Sequence, residues 1–529
     1  DVNLYQLDRF DLNSTTTLNI PLQRTISQHL RQLNQQPAAE QAGLFGDRLL
    51  SPGQQSKVKY SFTLYQTTDD GNKVRVQTDN TDQPFDMNES SKLELGSTAK
   101  LRVLISYLEI IAELHRLYAA ESPDTLRYVD IAPQDNLSSW ALSYLSQHPG
   151  IALDSMLQAA VQRRYSADPK ESFFTGGGLH TFTNFNEEDD KLQPTIAEAL
   201  QQSINLPFVR LLQDIVSYIS YHGENSSYQL LQDDDNPRRD QYLRRFADRE
   251  GITFLQRFWK KYQHKTAAER LQLFIQSSRQ TPEPLAAAYL YIAPDSTADS
   301  FNRLMQQQFD HRLSATELSN LYQKYHQADF SLPDQAYIAR SHPLELWLLR
   351  FMQQHSDASL ETAIAASSTE RQDTYQWLFK TRFRSARDNR IRNMLEIEAF
   401  WDLHQRWQRL GYPFDYLVPS LATALGSSGD RPAALAELIG IIQNDGMLLP
   451  TVRVDQLHFA ANTPYEVKLK YQPYEAKRVM KPEVARALRF ALSQVADGGT
   501  ARRLQGSFTK ADGSPLLIGG KTGTGDNKM

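Results

Sequence analysis

From residue 252 to residue 410 the chain contains no glycine, although it has 24 glycines among its 529 residues. Tight hairpins depend on positive-φ positions that glycine fills at least cost, so a sheet built from hairpins is a poor reading of this run. It predicts a mostly helical insert with short helix-to-helix turns, set between residues 211 and 416. Five of the six tryptophans (Trp259, Trp347, Trp377, Trp401 and Trp407) lie in it, and no fixed-length repeat marks it as a solenoid. The whole chain is longer than one hydrophobic core usually supports, and its 40% hydrophobic and 22% charged residues are a globular balance. Two or more domains, or one domain carrying a large insertion, are therefore expected.

A formal net charge of -5 offers no basic field of the kind that dominates nucleic-acid binding. With no cysteine, disulfides, thiolate nucleophiles and cysteine metal sites are excluded, and the scattered histidines show no metal spacing. No stretch approaches the roughly 18 apolar residues of a membrane span. The first residue is Asp1 rather than methionine, and no signal-peptide pattern follows, so the N-terminus reads as a cut or processed end.

Outside the insert the chain alternates strand and helix signals. Residues 16 to 36 read as a short extended piece and then a helix with Leu22, Ile26, Leu30 and Leu33 on one face. Two β-rich runs flank Asp70-Gly71, a hairpin signal. From Leu101, the residues Val103, Leu104, Tyr107, Leu108, Ile111 and Leu114 recur at helical steps and predict one core-facing stripe. Residues 175 to 187 read as a loop by glycine content, and Gln193 to Val216 return to helical periodicity. After Gly411, two helices closed by turns at Gly446 and at Gly498-Gly499 lead to an apolar strand carrying Lys521-Thr522-Gly523.

Ser97 stands three residues before Lys100, with Gly96 ahead of the pair and the long helix after it. On a first helical turn these side chains are neighbours, so the amine can reach the hydroxyl. A free lysine titrates near 10.4, and bringing it near 7 corresponds to about 4 kcal/mol, which burial beside a second cation can supply. The positive end of the helix favours an alkoxide and disfavours an ammonium. The pattern alone is weak, because Ser56 to Lys59 and Ser507 to Lys510 repeat it. Ser-x-Asn also occurs twice, at Ser203-Ile204-Asn205 and Ser300-Phe301-Asn302, whereas Lys-Thr-Gly occurs once. Taken singly, each can be a helix cap or a surface accident.

Taken in order, Ser-x-x-Lys, Ser-x-Asn and Lys-Thr-Gly form the motif set of penicillin-binding proteins and class A β-lactamases. The flanking blocks "KLELGSTAKLRVLISYLE", "PTIAEALQQSINLPFVRLLQ", "LATALGSSGDRPAALAELIGIIQNDGMLLPTV", "VADGGTARRL" with "GGKTGTG", and "TTTLNIPLQRTISQHL" resemble the transpeptidase domain of class A penicillin-binding proteins over roughly residues 12 to 210 and 417 to 529. The resemblance implies an α+β fold of the penicillin-binding protein and serine β-lactamase type, an antiparallel sheet flanked by helices. It further implies a linker at 1-60, a first transpeptidase part at 61-210, the insertion at 211-416 and a second part at 417-529.

The resemblance also implies roles. Ser97 would attack the penultimate carbonyl of a D-Ala-D-Ala stem peptide, and Lys100 would accept its proton. Ser203 would relay a proton to the leaving nitrogen, Asn205 would hold the substrate amide, and Lys521 would polarise Ser203 and attract the substrate carboxylate. Thr522 and Thr524 would bond that carboxylate, Gly523 would leave room for the substrate, and the backbone N–H groups of Ser97 and Thr524 would form the oxyanion hole. No metal or cofactor is implied. The expected partners are peptidoglycan stem peptides and β-lactams, with cell-wall synthesis proteins through the insert, and no nucleic acid. The expected location is the bacterial periplasm or the outer face of the inner membrane, with any membrane anchor and glycan-polymerising domain outside this sequence.

Leu95 and Leu101 stand where the family has prolines. The family connects its second and third blocks briefly, whereas here the insert intervenes. Eight residues follow Lys521, where the family has two further strands and a helix, so the sequence reads as truncated. Within the insert, Lys380 to Asn393 is basic and reads as a solvated helix face, or as a site for an anionic partner or glycan. The loop Phe173 to Phe182 reads as a flexible wall of the groove, with His180 structural. The same acylation residues would serve a D,D-carboxypeptidase or a β-lactamase, and a non-catalytic scaffold working through the insert is the reading from another class.

Overall fold

At Asp70-Gly71 the chain doubles back as its dipeptide predicts: Ser61–Thr68 and Gly71–Asp79 pair antiparallel from Ser61↔Asp79 to Thr68↔Gly71. This is a computed structural model, and it describes residues 11–525 apart from 47, 48, 82, 84, 176, 177, 223–226, 278–280, 310–312, 327, 328, 380 and 474. Alternation along the second strand buries Val74 and Val76, and Thr451–Val452 adds to its edge in parallel. A second three-stranded sheet joins Leu12–Thr16 to Val454–Phe459 and that strand to Val467–Lys470, all antiparallel.

The described residues of the segment read as a 1-60 linker, from 11 onward, carry a strand and helices that pair with the rest of the fold. Leu12–Thr16 gives its backbone hydrogen bonds to the Val454–Phe459 ladder, and the buried Thr17 hydroxyl donates to Val74 O at 2.7 Å, tying the two sheets together. The helix Ile20–Gln32 follows; Leu30 and Leu33 are buried, while Leu22 and Ile26 are only partly covered.

The helix Ala99–Tyr118 is the axis of the first unit. One buried stripe was expected, but Leu101, Ile105 and Ile110 are buried along with Val103, Leu104, Tyr107, Leu108, Ile111 and Leu114. The helix is enclosed because Asn136–Gln147, Leu153–Val161, Leu206–Tyr221 and Pro482–Gly498 all pack on it. Each large aliphatic side chain buried there contributes about 1.5–3 kcal/mol. Even its polar residues are enclosed: Arg102, 1% exposed, meets Asp430 with Nε–Oδ2 at 2.5 Å and Nη2–Oδ1 at 3.2 Å, and Ser106 Oγ accepts from Trp407 Nε1 at 2.9 Å.

The chain divides into two compact units, Asp1–Ser226 with Glu396–Met529, and Ser227–Leu395. The second is narrower than the 211-416 read from glycine usage. Leu211, Leu212, Ile215 and Val216 continue the Leu206–Tyr221 helix into the first core, and Leu403, Trp407, Leu410 and Tyr412 belong to that core as well. Glycine content marks where turns fall, not where packing changes sides.

Taken by itself, the second unit is helical, with no strand among its described residues. One of its cores gathers Leu255, Phe258 and Tyr262 with Leu344, Leu346 and Leu348; another joins Leu285 and Leu290 to Phe301, Met305 and Leu318. Gly251, the last glycine before the long gap, sits inside the helix Arg238–Tyr262, where a Cβ would lie 2.7 Å from Cγ and Cδ of Arg371. Lys380 of the basic stretch lies outside the described residues; Arg382, Arg384 and Arg392 are exposed, as a solvated helix face has them, whereas Arg387 and Ile391 are buried. Arg384 pairs with Asp234 at 3.1 Å, Asp388 bonds Arg239, and Arg390 lies over the Phe246 and Trp377 rings. Part of the stretch thus also packs within the unit. No described helix is long and apolar enough to cross a membrane.

Candidate active site

The turn Gly96–Thr98 leads directly into the helix Ala99–Tyr118 and places Ser97 at its mouth. Gly96 has φ +54, and a Cβ on it would lie 1.9 Å from Thr524 O. Cβ atoms on Gly426 and Gly523 would come 2.8 Å from Gly96 N and 2.2 Å from Leu95 O. Three backbone segments from distant parts of the sequence thus meet without side chains between them.

Two residues beyond the turn, Lys100 is fully buried. Its Nζ lies 3.0 Å from Ser97 Oγ, 2.6 Å from Ser203 O, 2.8 Å from Asn205 Oδ1 and 3.3 Å from Ser203 Oγ. Ser203 O and Asn205 Oδ1 can only accept, so they take two N–H bonds. A neutral amine then has its lone pair left for the Ser97 hydroxyl. Burial holds the Lys100 ammonium well below its usual range, the nearby Lys521 charge lowers it further, and Asp189 opposes the shift. This geometry and the lowered pKa together allow Lys100 to serve as a base for the Ser97 hydroxyl.

Ser203 ends the helix Ile196–Gln202, which starts from a Thr195/Glu198 capping box. It adopts the left-handed conformation, φ 60 and ψ 34, at a cost of about 1–2 kcal/mol for a residue bearing a Cβ. That turn aims its carbonyl at Lys100. Asn205 begins the helix Leu206–Tyr221 but does not cap it. Instead Asn184 Oδ1 accepts from Asn205 N at 3.2 Å and Leu206 N at 3.1 Å, which leaves Asn205 Oδ1 to Lys100. Asn184 was missed at the sequence level because its segment reads as loop; it does for Asn205's helix what an N-cap normally does.

Lys521 Nζ donates to Ser203 Oγ at 2.9 Å and Thr522 O at 2.8 Å, and burial pushes its pKa down to about 8. The strand read for this segment does not form: Pro515 makes an isolated bridge to Thr509, and residues 516–525 lie in no helix or strand, held in part by Gly520 N–H to Leu492 O at 3.2 Å. A strand needs a neighbouring edge with which to exchange hydrogen bonds. The Thr522 and Thr500 hydroxyls lie 2.6 Å apart, so Thr500 is a second residue sequence reading missed.

A cavity of about 560 Å³ collects Ser97, Ser203, Asn205, Thr522, Gly523 and Thr524, with Phe185, Asp189 and Thr500 also on its walls. The remaining motif copies lie elsewhere. Ser56, Lys59, Ser507 and Lys510 are exposed, and Ser300 Oγ donates to Thr297 O at the start of an insert helix. The supposed loop at 175 to 187 is partly a hairpin, Ser172–Thr175 with Gly178–Thr181; its Gly176 and Gly177 lie outside the described residues. His180 is in that hairpin, stacked against Phe182. Among the described residues no group of three His, Asp or Glu side chains is placed to hold a metal ion.

The site can therefore activate a hydroxyl with a buried neutral amine, in a groove holding a second lysine and several hydroxyl donors. No protein-family profile matches the chain, and no curated protein sequence matches it significantly. Among solved structures, it is similar to the D,D-transpeptidase domain of a peptidoglycan glycosyltransferase from Eggerthella lenta, at 13% identity and a TM-score of 0.36, over 98% of this chain and 72% of that one.

Proposed function

We propose that the chain is a serine acyltransferase of the D,D-transpeptidase type, which cross-links peptidoglycan stem peptides through an acyl-enzyme on Ser97. The observation that carries this reading is the fully buried Lys100 amine 3.0 Å from Ser97 Oγ, with its two N–H bonds taken by Ser203 O and Asn205 Oδ1. Ser97 Oγ bonds to the penultimate carbonyl carbon of a stem peptide while Lys100 takes its proton. The tetrahedral intermediate collapses, the D-alanine nitrogen leaves with a proton passed through Ser203, and an ester remains on Ser97. An amine from a second stem then attacks the ester, regenerates the serine and leaves a cross-link. Lys521, bonded to Ser203, supplies positive charge for the donor's terminal carboxylate, and Thr522 and Thr524 supply hydroxyls beside it.

The reading places the chain in a bacterial periplasm or at the outer face of the inner membrane, where its substrate is. Penicillin presents the same acyl chemistry, so a fluorescent penicillin is expected to label the intact protein covalently and Ser97→Ala to abolish labelling. Equal labelling of Ser97→Ala rules the reading out. Products formed from a stem-peptide mimic with and without an acceptor amine separate cross-linking from hydrolysis.

A further inference from the structure

About 18 Å along the Ala99–Tyr118 helix from Ser97, by the helical rise of its twelve intervening steps, a second cavity of about 400 Å³ opens in the first unit. That helix contributes Glu109, Glu113 and Arg116, residues 406 and 409 contribute two arginines, and the segment from Arg478 to Lys481 closes the other side. Two of these cations are matched: Arg409 Nη2 meets Glu109 Oε2 at 2.6 Å, and Arg406 lies 3.5 Å from Glu113 and 3.0 Å from Asp402. Among the described residues Arg478 meets backbone carbonyls alone, Asp445 O at 2.7 Å and Met480 O at 3.5 Å. Arg116 and Lys481 have no hydrogen-bond or ion-pair partner among the described residues.

We propose that this cavity binds a phosphate or pyrophosphate group, free or esterified, on Arg116, Arg478 and Lys481. Three cations unmatched by carboxylates converge on one concavity of a chain whose net charge is -5, so the charge is local to this cavity rather than a general field. A group carrying about two negative charges suits guanidinium forks, which hold phosphate oxygens in pairs. A neutral ligand leaves that charge unmatched. Glu109 and Glu113 also line the cavity, each beside one arginine, so its five cations outnumber its two carboxylates. The inference rests on this cavity and not on the acyl-enzyme reading.

The test is calorimetric titration of the intact chain with phenyl phosphate and with inorganic pyrophosphate, and cosedimentation with phosphatidylcholine vesicles containing phosphatidic acid. Phenyl phosphate is expected to bind one to one with a Kd of about 1 mM or tighter. Arg116→Ala/Lys481→Ala, which removes two exposed side chains without partners, is expected to weaken it by about tenfold or more, a loss of about 1.4 kcal/mol. Lys57→Ala/Lys59→Ala, an equal charge change on exposed residues elsewhere, is expected to leave the Kd unchanged. Vesicle binding that phenyl phosphate displaces identifies a lipid headgroup as the source; soluble binding without vesicle binding identifies a free ester, and both support the site. No binding of either soluble phosphate overturns the proposal, and so does equal weakening in the two double variants.

Discussion

Replacing Lys521 with methionine isolates how one lysine sets the protonation of the other. Lys100 and Lys521 reach the same Ser203 oxygen from 3.3 and 2.9 Å, so their nitrogens are at most about 6 Å apart. Two unit charges at that separation repel by about 0.7 kcal/mol at the dielectric of water and about 2.8 kcal/mol at an effective value of about 20. Methionine keeps the bulk of the stem and removes the charge, so Lys100 holds its proton to higher pH, by about 0.5 to 2 pH units. Burial still depresses Lys100, because desolvation is the larger of its two causes. The assay is the single-turnover rate of acylation by a chromogenic penicillin from pH 5 to 10. The acid limb of Lys521→Met should lie above that of the natural protein by the stated interval, and Lys521→Arg, which keeps the charge, should lie near it. An acid limb that stays fixed or moves to lower pH in Lys521→Met refutes the coupling.

In the natural protein Lys521 loses its proton near pH 8, against about 10.4 when unfolded, so between those values the unfolded chain binds more protons and stability should rise with pH; denaturant titrations of the natural protein and of Lys521→Met should show a shallower rise in the variant. Gly96→Ala forces a Cβ to within 1.9 Å of Thr524 O at φ +54 and should slow penicillin acylation by about a hundredfold or more, read as the rate of fluorescent labelling. Arg102→Met leaves the buried Asp430 carboxylate unmatched and should cost about 3–5 kcal/mol in urea unfolding, most of it recovered in Arg102→Met/Asp430→Leu. Alanine in place of a mid-helix glycine usually gains up to about 1 kcal/mol, but Gly251→Ala meets the Arg371 stem at 2.7 Å and should instead destabilise the second unit by about 1–2 kcal/mol, measured by its melting temperature. Asn184→Ala removes the acceptor for two N–H groups and frees Asn205 to cap its own helix, so acylation should fall by about tenfold with a stability loss of about 1 kcal/mol.

The parts legible in the sequence were those with local causes. The hairpin followed from Asp70-Gly71, the helix after Ser97 from its apolar period, and the helical insert from absent glycine. What stayed hidden was set by partners distant in the chain. Leu12–Thr16 is a strand because Val454–Phe459 lies beside it, and nothing in either segment announces the other. The apolar segment before Lys521 pairs with no strand, although its composition is strand-like. Within the site, the reactive residue types were visible as motifs, whereas Asn184 and Thr500 act by holding other residues and have no pattern of their own. The insert's limits shifted for a similar reason, since Leu211 and Trp407 look like insert by composition and pack with the first core.

The convergence on Ser203 also orders events in time. Lys521 and Ser203 are 318 residues apart, a separation that a ribosome covers in roughly 16 to 64 s at about 5 to 20 residues per second. Throughout that interval Ser97, Lys100 and the Ser-x-Asn turn exist without the lysine that meets Ser203, and Gly96 waits for the backbone that will press against it. On the proposed acyl-enzyme reading a nascent chain is thereby disarmed, because the lysine that completes the site is made long after the hydroxyl that would carry the acyl group.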